Sequence, residues 1–260
     1  MPILNQIKKH WDDLSVSKGS SYKTSWDDYY MVQKEIEEVC KHISTGIETI
    51  CDFGCNNGYC DFEFLHRFPN ITMTGIDYAE KAIIQANKTL SESAYKNRCE
   101  FVVGDILDIE NYPKKKFDTV IVKRTLINLM DDNNQMKAIA NLASLIDHGK
   151  IIVMEPIETN LYRLNQLRRA FALPDLSQPW HNKYLSDYVL EYIYANFNVK
   201  INYNYSSSYY IVSRVLYPWI ATHLVNSTVD YLSEINRLAM MFPNVGDYGL
   251  QQVFVLTKKA

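Results

Sequence analysis

Glycine is scarce in this chain, 9 of 260 residues, and no internal repeat, low-complexity tract or Gly/Ser linker divides it. No apolar stretch approaches the ~20 residues needed to span a bilayer, and residues 1–10 hold no apolar leader core behind Lys8 and Lys9. The five cysteines, Cys40, Cys51, Cys55, Cys60 and Cys99, form no CxxC pair and have no histidine at zinc-finger spacing. Reduced thiols in a cytoplasmic protein without a metal are therefore expected. A basic excess is also missing: 27 Lys and Arg against 30 Asp and Glu leave a formal charge of −3. Charge gives no support for holding a nucleic-acid backbone. The expected partner is a small molecule, with neither nucleic acid nor membrane, and a homo-oligomer is left open.

What is present reads as a folded domain. Hydrophobic residues make up 47% and charged residues 22%, too apolar for a disordered chain. A chain of this size buries a large core without disulfides or metal staples. Residues 26–45 carry apolar positions at Tyr29, Val32, Ile36, Val39 and Ile43, which predicts a helix ending near Gly46. Short apolar runs then alternate with helical segments. Strands are expected at 49–54, 71–77, 99–103, 117–122 and 150–154, with helices at 58–67, 79–94 and about 133–145 between them. Strands separated by helices of this length imply parallel βαβ units with right-handed crossovers and a doubly wound α/β sheet. After Pro156 helices are expected at 158–172 and 184–195, and strands at 199–205 and 253–257. The residues 206–249 between those strands are too many for a hairpin loop. An insertion packed over one end of the sheet is expected there.

Chemistry concentrates at the ends of successive strands. Asp52-Phe53-Gly54-Cys55-Asn56-Asn57-Gly58 closes the first strand and opens a helix. Glycine there lets the backbone turn sharply beside a ligand, in the crevice where open α/β sheets bind ligands. The dinucleotide pattern G-x-G-x-x-G is absent, and no Gly-Lys-Ser/Thr of a P-loop follows. This counts against a Rossmann-like oxidoreductase. Asp77 in Gly75-Ile76-Asp77-Tyr78 ends the second strand, where a carboxylate can accept both hydroxyls of a ribose. Asp105 in Gly104-Asp105-Ile106 follows the third and can accept from an exocyclic amine. A single acidic residue in such a turn is more often a helix cap. Three in succession point to a nucleoside site.

In these segments, together with Phe117-Asp118-Thr119-Val120-Ile121-Val122, the chain resembles the class I S-adenosylmethionine-dependent methyltransferases over residues 25–157. The resemblance implies a Rossmann-like seven-stranded sheet of order 3-2-1-4-5-7-6, its last strand antiparallel. It implies a lid at 1–30, a cofactor-binding core at 31–157, and substrate-recognition cap helices with the last two strands at 158–260. S-adenosyl-L-methionine would be the cofactor and S-adenosyl-L-homocysteine the product. Asp52 and Gly54 would border the methionine portion, Asp77 would hold ribose, and Asp105 with Ile106 would hold adenine. Cys55, Gly58, Tyr78 and Lys123 would complete the site, with Tyr22 and Trp26 closing over the methionine end. Asn56 replaces a glycine usual in that loop, and Asn128 stands where many members carry His.

Methyl transfer asks the protein mainly to align the acceptor and exclude water. His181, in Pro179-Trp180-His181-Asn182, is the first candidate for a base; Asp12, Asp13, Glu155 and a tyrosine such as Tyr209 or Tyr210 are the others. Arg124, Arg168, Tyr209 and Arg214 are candidates for the acceptor, because a guanidinium fork suits phosphate or carboxylate. The plain alternative for each arginine is a solvated helix face. His181-Asn182-x-Tyr184 with Ser-Ser-Tyr-Tyr and Arg214 is also similar to methyltransferases of bacterial surface-polysaccharide (capsule) clusters. The expected reaction is O-methylation of a polar or anionic metabolite, such as a sugar, phosphorylated or phosphoramidate intermediate of capsule biosynthesis. N-methylation of a small amine or sugar, or a non-catalytic methyltransferase-like subunit, are the alternatives.

Overall fold

The computed structural model describes residues 2–46, 48–108 and 114–259; Met1 and Ala260, the outer ends of the expected lid and cap segments, lie outside them. β1 (Glu48–Phe53), β2 (Ile71–Asp77), β3 (Cys99–Val103), β4 (Thr119–Lys123) and β5 (Lys150–Pro156) pair in parallel. With β6 (Phe197–Asn204) and β7 (Gln251–Lys258) they form one sheet of order β3-β2-β1-β4-β5-β7-β6. β7 runs antiparallel to both its neighbours. Order and polarity are those the resemblance implies.

Side chains of the central strands alternate between two cores. Ile50, Ile121, Ile152 and Met154 face one layer, with α2 (Tyr29–Cys40), α3 (Tyr59–Arg67) and α4 (Glu80–Ser91). Cys51, Val120, Val122, Ile151 and Val153 face the other, with α5 (Asp132–Ala143) and α7 (Asp187–Asn196). Covering both faces makes the strands read as continuous apolar runs. Each fully buried Ile or Val contributes about 1.5–3 kcal/mol of transfer free energy.

Caps move the helix ends away from the expected positions. α2 starts at Tyr29 because the Asp28 side chain accepts from Met31 N at 3.1 Å. It ends at Cys40, ahead of Gly46, and Ser44 N in the following loop donates to Glu48 at the start of β1 at 2.6 Å.

The expected lid segment begins with a helix, α1 (Pro2–Lys18), whose pattern is masked by polar residues between Leu4, Ile7 and Trp11. Lys8–Asp12 and Lys9–Asp13 pairs at 3.0 and 2.6 Å support it. Gly19, at φ +59°, ends it. Asp12 also accepts from Lys81 N at 2.8 Å, which fastens α1 to the first turn of α4.

The insertion is helical. α8 (Ser207–Tyr210), a π-helical turn at Ile211–Leu216, α9 (Tyr217–Ile220) and a second π-helical turn at Ala221–Val225 form one run, followed by α10 (Glu234–Met241). It packs against α2 and against α6 (Glu158–Ala170). Among the described residues no helix is long and apolar enough to cross a membrane.

Candidate active site

A cavity of about 350 Å³ opens at the carboxyl ends of β1, β2, β3 and β4. Asp52, Gly54, Cys55, Asp77, Tyr78, Asp105, Ile106, Lys123 and Arg124 all line it, so the strand-end residues singled out by sequence converge. Leu4, Asn5, Lys8 and Trp11 of α1 form its roof. Among the described residues, none of the lining comes from beyond Leu129. The insertion is instead held beside α2 and α6.

The glycine loop is shaped by two close approaches. Gly54, at φ +91°, donates its N–H to Ile76 O at 2.7 Å. A Cβ there would overlap the Thr125 side chain. Asn56 takes the left-handed region at φ +51°, which asparagine tolerates better than most residues. Its side chain accepts from Asn57 N at 2.7 Å and its own N–H donates to Asp77 at 2.8 Å. The departure from glycine at position 56 thus leaves a closed loop. Asn57 Nδ2 donates to Gly19 O and Ser21 O at 2.8 and 3.0 Å, tying this loop to the hinge of α1.

Burial pushes the Asp77 carboxyl up to about 6, against the lowering effect of the Ala79 and Asn56 amides it accepts. Burial likewise raises Asp52 to about 6, with Lys123 opposing and Asp77 adding to the rise. Asp105 is exposed and accepts from Leu107 N at 2.9 Å, leaving acceptor capacity toward the cavity. Ile106 is buried beside it. This set suits a nucleoside with a zwitterionic tail: carboxylates for hydroxyls and ammonium, Lys123 for a carboxylate.

Lys123 and Arg124 share one carboxylate that sequence reading missed. Glu35 lies 3.4 Å from Lys123 Nζ and 2.8 Å from Arg124 Nε. Glu35 falls on the buried stripe of α2 between Val32 and Ile36, and a charged residue on an apolar face was the available signal. Arg124 also donates to Ser25 O and Ser25 Oγ, both at 3.1 Å, and lies over the Trp26 ring at 5.0 Å. Its guanidinium is therefore committed to the protein.

Tyr22 and Trp26 stand outside the cavity lining. Tyr22 packs edge-on against Tyr29 at 5.0 Å, so both aromatics brace the hinge between α1 and α2.

Glu155 accepts from Thr125 N and Leu126 N at 2.8 and 2.9 Å, and burial raises it to about 8. Through these two bonds it clamps the turn after β4. His181 also lies off the cavity wall. It stacks on His10 of α1 at 4.7 Å and meets Trp11, which does line the cavity, edge-on at 5.4 Å. Burial lowers it to about 4.

Tyr209, Tyr210, Arg168 and Arg214 are gathered elsewhere, inside the protein beneath the insertion. Asp28 accepts from Tyr209 at 2.5 Å and pairs with Arg214, whose guanidinium lies over the Tyr210 ring at 5.3 Å. Arg168 donates to Pro174 O and Arg214 O. They surround no part of the cavity lining.

Comparison with known proteins agrees with this geometry. A family model described as a methyltransferase domain matches residues 45–191. Malonyl-[acyl-carrier protein] O-methyltransferase of Bacillus cytotoxicus is 29% identical over 117 residues, 42% of this chain and 38% of that protein. The tRNA1(Val) (adenine(37)-N6)-methyltransferase of Vibrio cholerae is 28% identical over 109 residues, 42% of this chain and 45% of that one. The chain thus spans less than half the length of these curated relatives. Magnesium protoporphyrin IX methyltransferase from Synechocystis, solved with bound SAH, superposes with a TM-score of 0.58 at 15% identity, covering 92% of this chain and 88% of that one. The N-methyltransferase NodS from Bradyrhizobium japonicum, in complex with S-adenosyl-L-homocysteine, gives 0.54 at 16% identity over 75% and 89%.

Proposed function

The chain belongs to the family of methyltransferase domains, and from that premise we propose that it moves a methyl group from S-adenosyl-L-methionine to a polar or anionic small molecule, releasing S-adenosyl-L-homocysteine. The observation that carries this reading is the convergence of Asp52, Asp77, Asp105 and Lys123 on one cavity, at the ends of successive strands. Asp77 accepts the ribose hydroxyls, Asp105 and Ile106 hold adenine, and Asp52 with Lys123 receives the methionine ammonium and carboxylate. We read the chain as lid 1–30, cofactor core 31–157 and acceptor-binding part 158–260.

When bound, the cofactor supplies a sulfonium methyl whose leaving group is already activated. The residues then have to align the acceptor and keep water out. Trp11 and Lys8 of the α1 roof serve the second need. We assign His181 to holding that roof through His10 and Trp11, since its ring stands off the cavity wall. The finer reading is O-methylation of a sugar, phosphorylated or phosphoramidate intermediate of surface-polysaccharide biosynthesis. A net charge of −3 favours a small molecule over nucleic acid. Five unpaired cysteines favour a reducing cytoplasm.

Titration calorimetry with S-adenosyl-L-methionine and S-adenosyl-L-homocysteine tests the reading. Low-micromolar binding of both, weakened at least tenfold by Asp77→Ala, is the expected result. Failure of both to bind would leave the non-catalytic subunit as the better account.

A further inference from the structure

Three residues of the loop between β1 and α3 hold a positive φ: Gly54 at +91°, Asn56 at +51° and Gly58 at +75°. At the two glycines a Cβ would overlap the Thr125 side chain and the Phe101 ring. Asn56 has room for its side chain because that residue lies along the cavity. Glycine adopts this backbone freely. A residue with a side chain persists there only where its surroundings over-determine it, and such residues gather where ligands are clamped.

Those surroundings also settle which end of the Asn56 amide is free. Asn57 N–H is a donor only, so the atom it reaches at 2.7 Å is Asn56 Oδ1. Asn57 is itself held: its Oδ1 accepts from Tyr59 N at 3.2 Å, and its Nδ2 donates to Gly19 O and Ser21 O. Asn56 Nδ2 is left with no hydrogen-bond partner among the described residues. The backbone N–H of the same residue donates to Asp77 Oδ2 at 2.8 Å. The free amide donor therefore stands beside the carboxylate assigned to the ribose.

A ribose hydroxyl both donates and accepts. Asp77 takes its proton, but an ionised carboxylate offers nothing to the hydroxyl oxygen. In a cavity closed to water, an oxygen left unmet costs affinity. Lys8 of the roof also acts on Asp77, yet its Nζ is paired with Asp12 at 3.0 Å. Lys123 and Arg124 are engaged with Glu35. Asn56 Nδ2 is the uncommitted donor next to Asp77.

We propose that Asn56 is a positioning residue for the cofactor, its Nδ2 donating to the oxygen of a ribose hydroxyl whose proton Asp77 accepts. The inference rests on the methyl-transfer reading, and it gives the ribose a second contact of opposite polarity to the first.

The test is calorimetry of the full chain at pH 8, where Asp77 is ionised, with S-adenosyl-L-homocysteine, adenosine and 2′,3′-dideoxyadenosine as the probes. Asn56→Gly keeps the left-handed backbone and removes the amide. It weakens S-adenosyl-L-homocysteine and adenosine about tenfold, the worth of one hydrogen bond to a buried group, and leaves dideoxyadenosine within about twofold. Asn56→Asp tolerates the same φ and keeps an oxygen for Asn57 N, but sets a second oxygen where Nδ2 stood. It weakens the two hydroxyl-bearing ligands at least as much as Asn56→Gly does. A side chain that merely shaped the loop would weaken all three ligands alike. Equal losses for adenosine and its dideoxy counterpart, or an Asn56→Gly affinity for S-adenosyl-L-homocysteine equal to the parent's, would overturn the proposal and leave the methyl-transfer reading standing. Failure of the parent protein to bind S-adenosyl-L-homocysteine would overturn that reading and the ribose role of Asn56 with it.

Discussion

Arg124 holds the left-handed backbone region at φ +52° and points its Nε at Glu35, 2.8 Å away. A non-glycine residue in that region costs about 1–3 kcal/mol and persists only where its surroundings over-determine it. Here the surroundings are the Glu35 carboxylate, both oxygens of Ser25 and the Trp26 face. One side chain thereby joins the end of β4, the buried stripe of α2 and the hinge of the α1 roof.

Glu35→Gln leaves Lys123 and Arg124 without their shared counter-charge. Removing one partner of a buried pair costs about 3–5 kcal/mol, and a loss of that size in urea denaturation is expected. Weaker S-adenosyl-L-homocysteine binding should accompany it, because Lys123 lines the cavity. A stability change below ~1 kcal/mol would show that the two cations do not depend on Glu35.

Asp77 titrates near 6 in the fold and near ~3.9 in an unfolded chain. A carboxyl raised on folding stabilises the native state while both states are protonated relative to conditions where both are ionised. Stability of the free protein therefore falls as pH rises from about 4 to 6 on account of this group. Asp77→Asn should flatten that slope in denaturation curves taken at successive pH values. Cofactor affinity should run the other way in the parent protein. The ribose hydroxyls need the ionised carboxylate, so affinity falls up to about tenfold per pH unit below 6. Affinity independent of pH between 5 and 7 would remove Asp77 from the ribose.

The sheet and the carboxylates at its strand ends were legible because both depend on local pattern. Strand-end carboxylates at Asp52, Asp77 and Asp105 are placed by β1, β2 and β3 themselves, so reading the strands locates the residues. The helical form of the roof was not legible. α1 carries its buried Ile7 and cavity-facing Trp11 among lysines and aspartates, and its position is fixed by long-range bonds such as Asp12 to Lys81 N. The same holds for Glu35, Asp28 and Glu155, whose roles come from partners 89, 186 and 30 residues away. Sequence reading named Arg124, Arg168, Tyr209 and Arg214 for the acceptor and Tyr210 as a candidate base; the fold gathers Arg168, Tyr209, Tyr210 and Arg214 near Asp28, away from the cavity lining.

Glu155 rises to about 8 because it is fully buried, while its two amide donors pull it down. Its sign matches that of Asp77: stability falls as pH climbs from about 4 toward 8, as the unfolded chain loses a proton the native state keeps. Glu155→Gln keeps an oxygen for Thr125 N and Leu126 N and carries no charge. We expect equal or greater stability at pH 7 and a flatter profile between pH 5 and 8. Chemical denaturation across that range checks it. A variant that unfolds at pH 7 would mean that the ionised carboxylate holds the turn.

His181 and His10 oppose these carboxyls in sign. Burial lowers both imidazoles, His181 to about 4. A base lowered on folding contributes stability that is present above ~6.5 and lost as pH falls toward 4. Both rings are only partly shielded, so solvent screening reduces the loss. The stacked pair joins α1 to the loop at 180–182. Two charged imidazoles 4.7 Å apart would repel, and the roof should loosen first. Trp11 fluorescence should therefore change between pH 6.5 and 4 ahead of the far-ultraviolet helix signal. His181→Phe keeps a ring against His10 and cannot take a proton; it should shift that fluorescence change to lower pH while leaving S-adenosyl-L-homocysteine affinity at pH 7 within twofold. A fluorescence transition at the same pH in both proteins would show that carboxyls, and not this pair, release the roof.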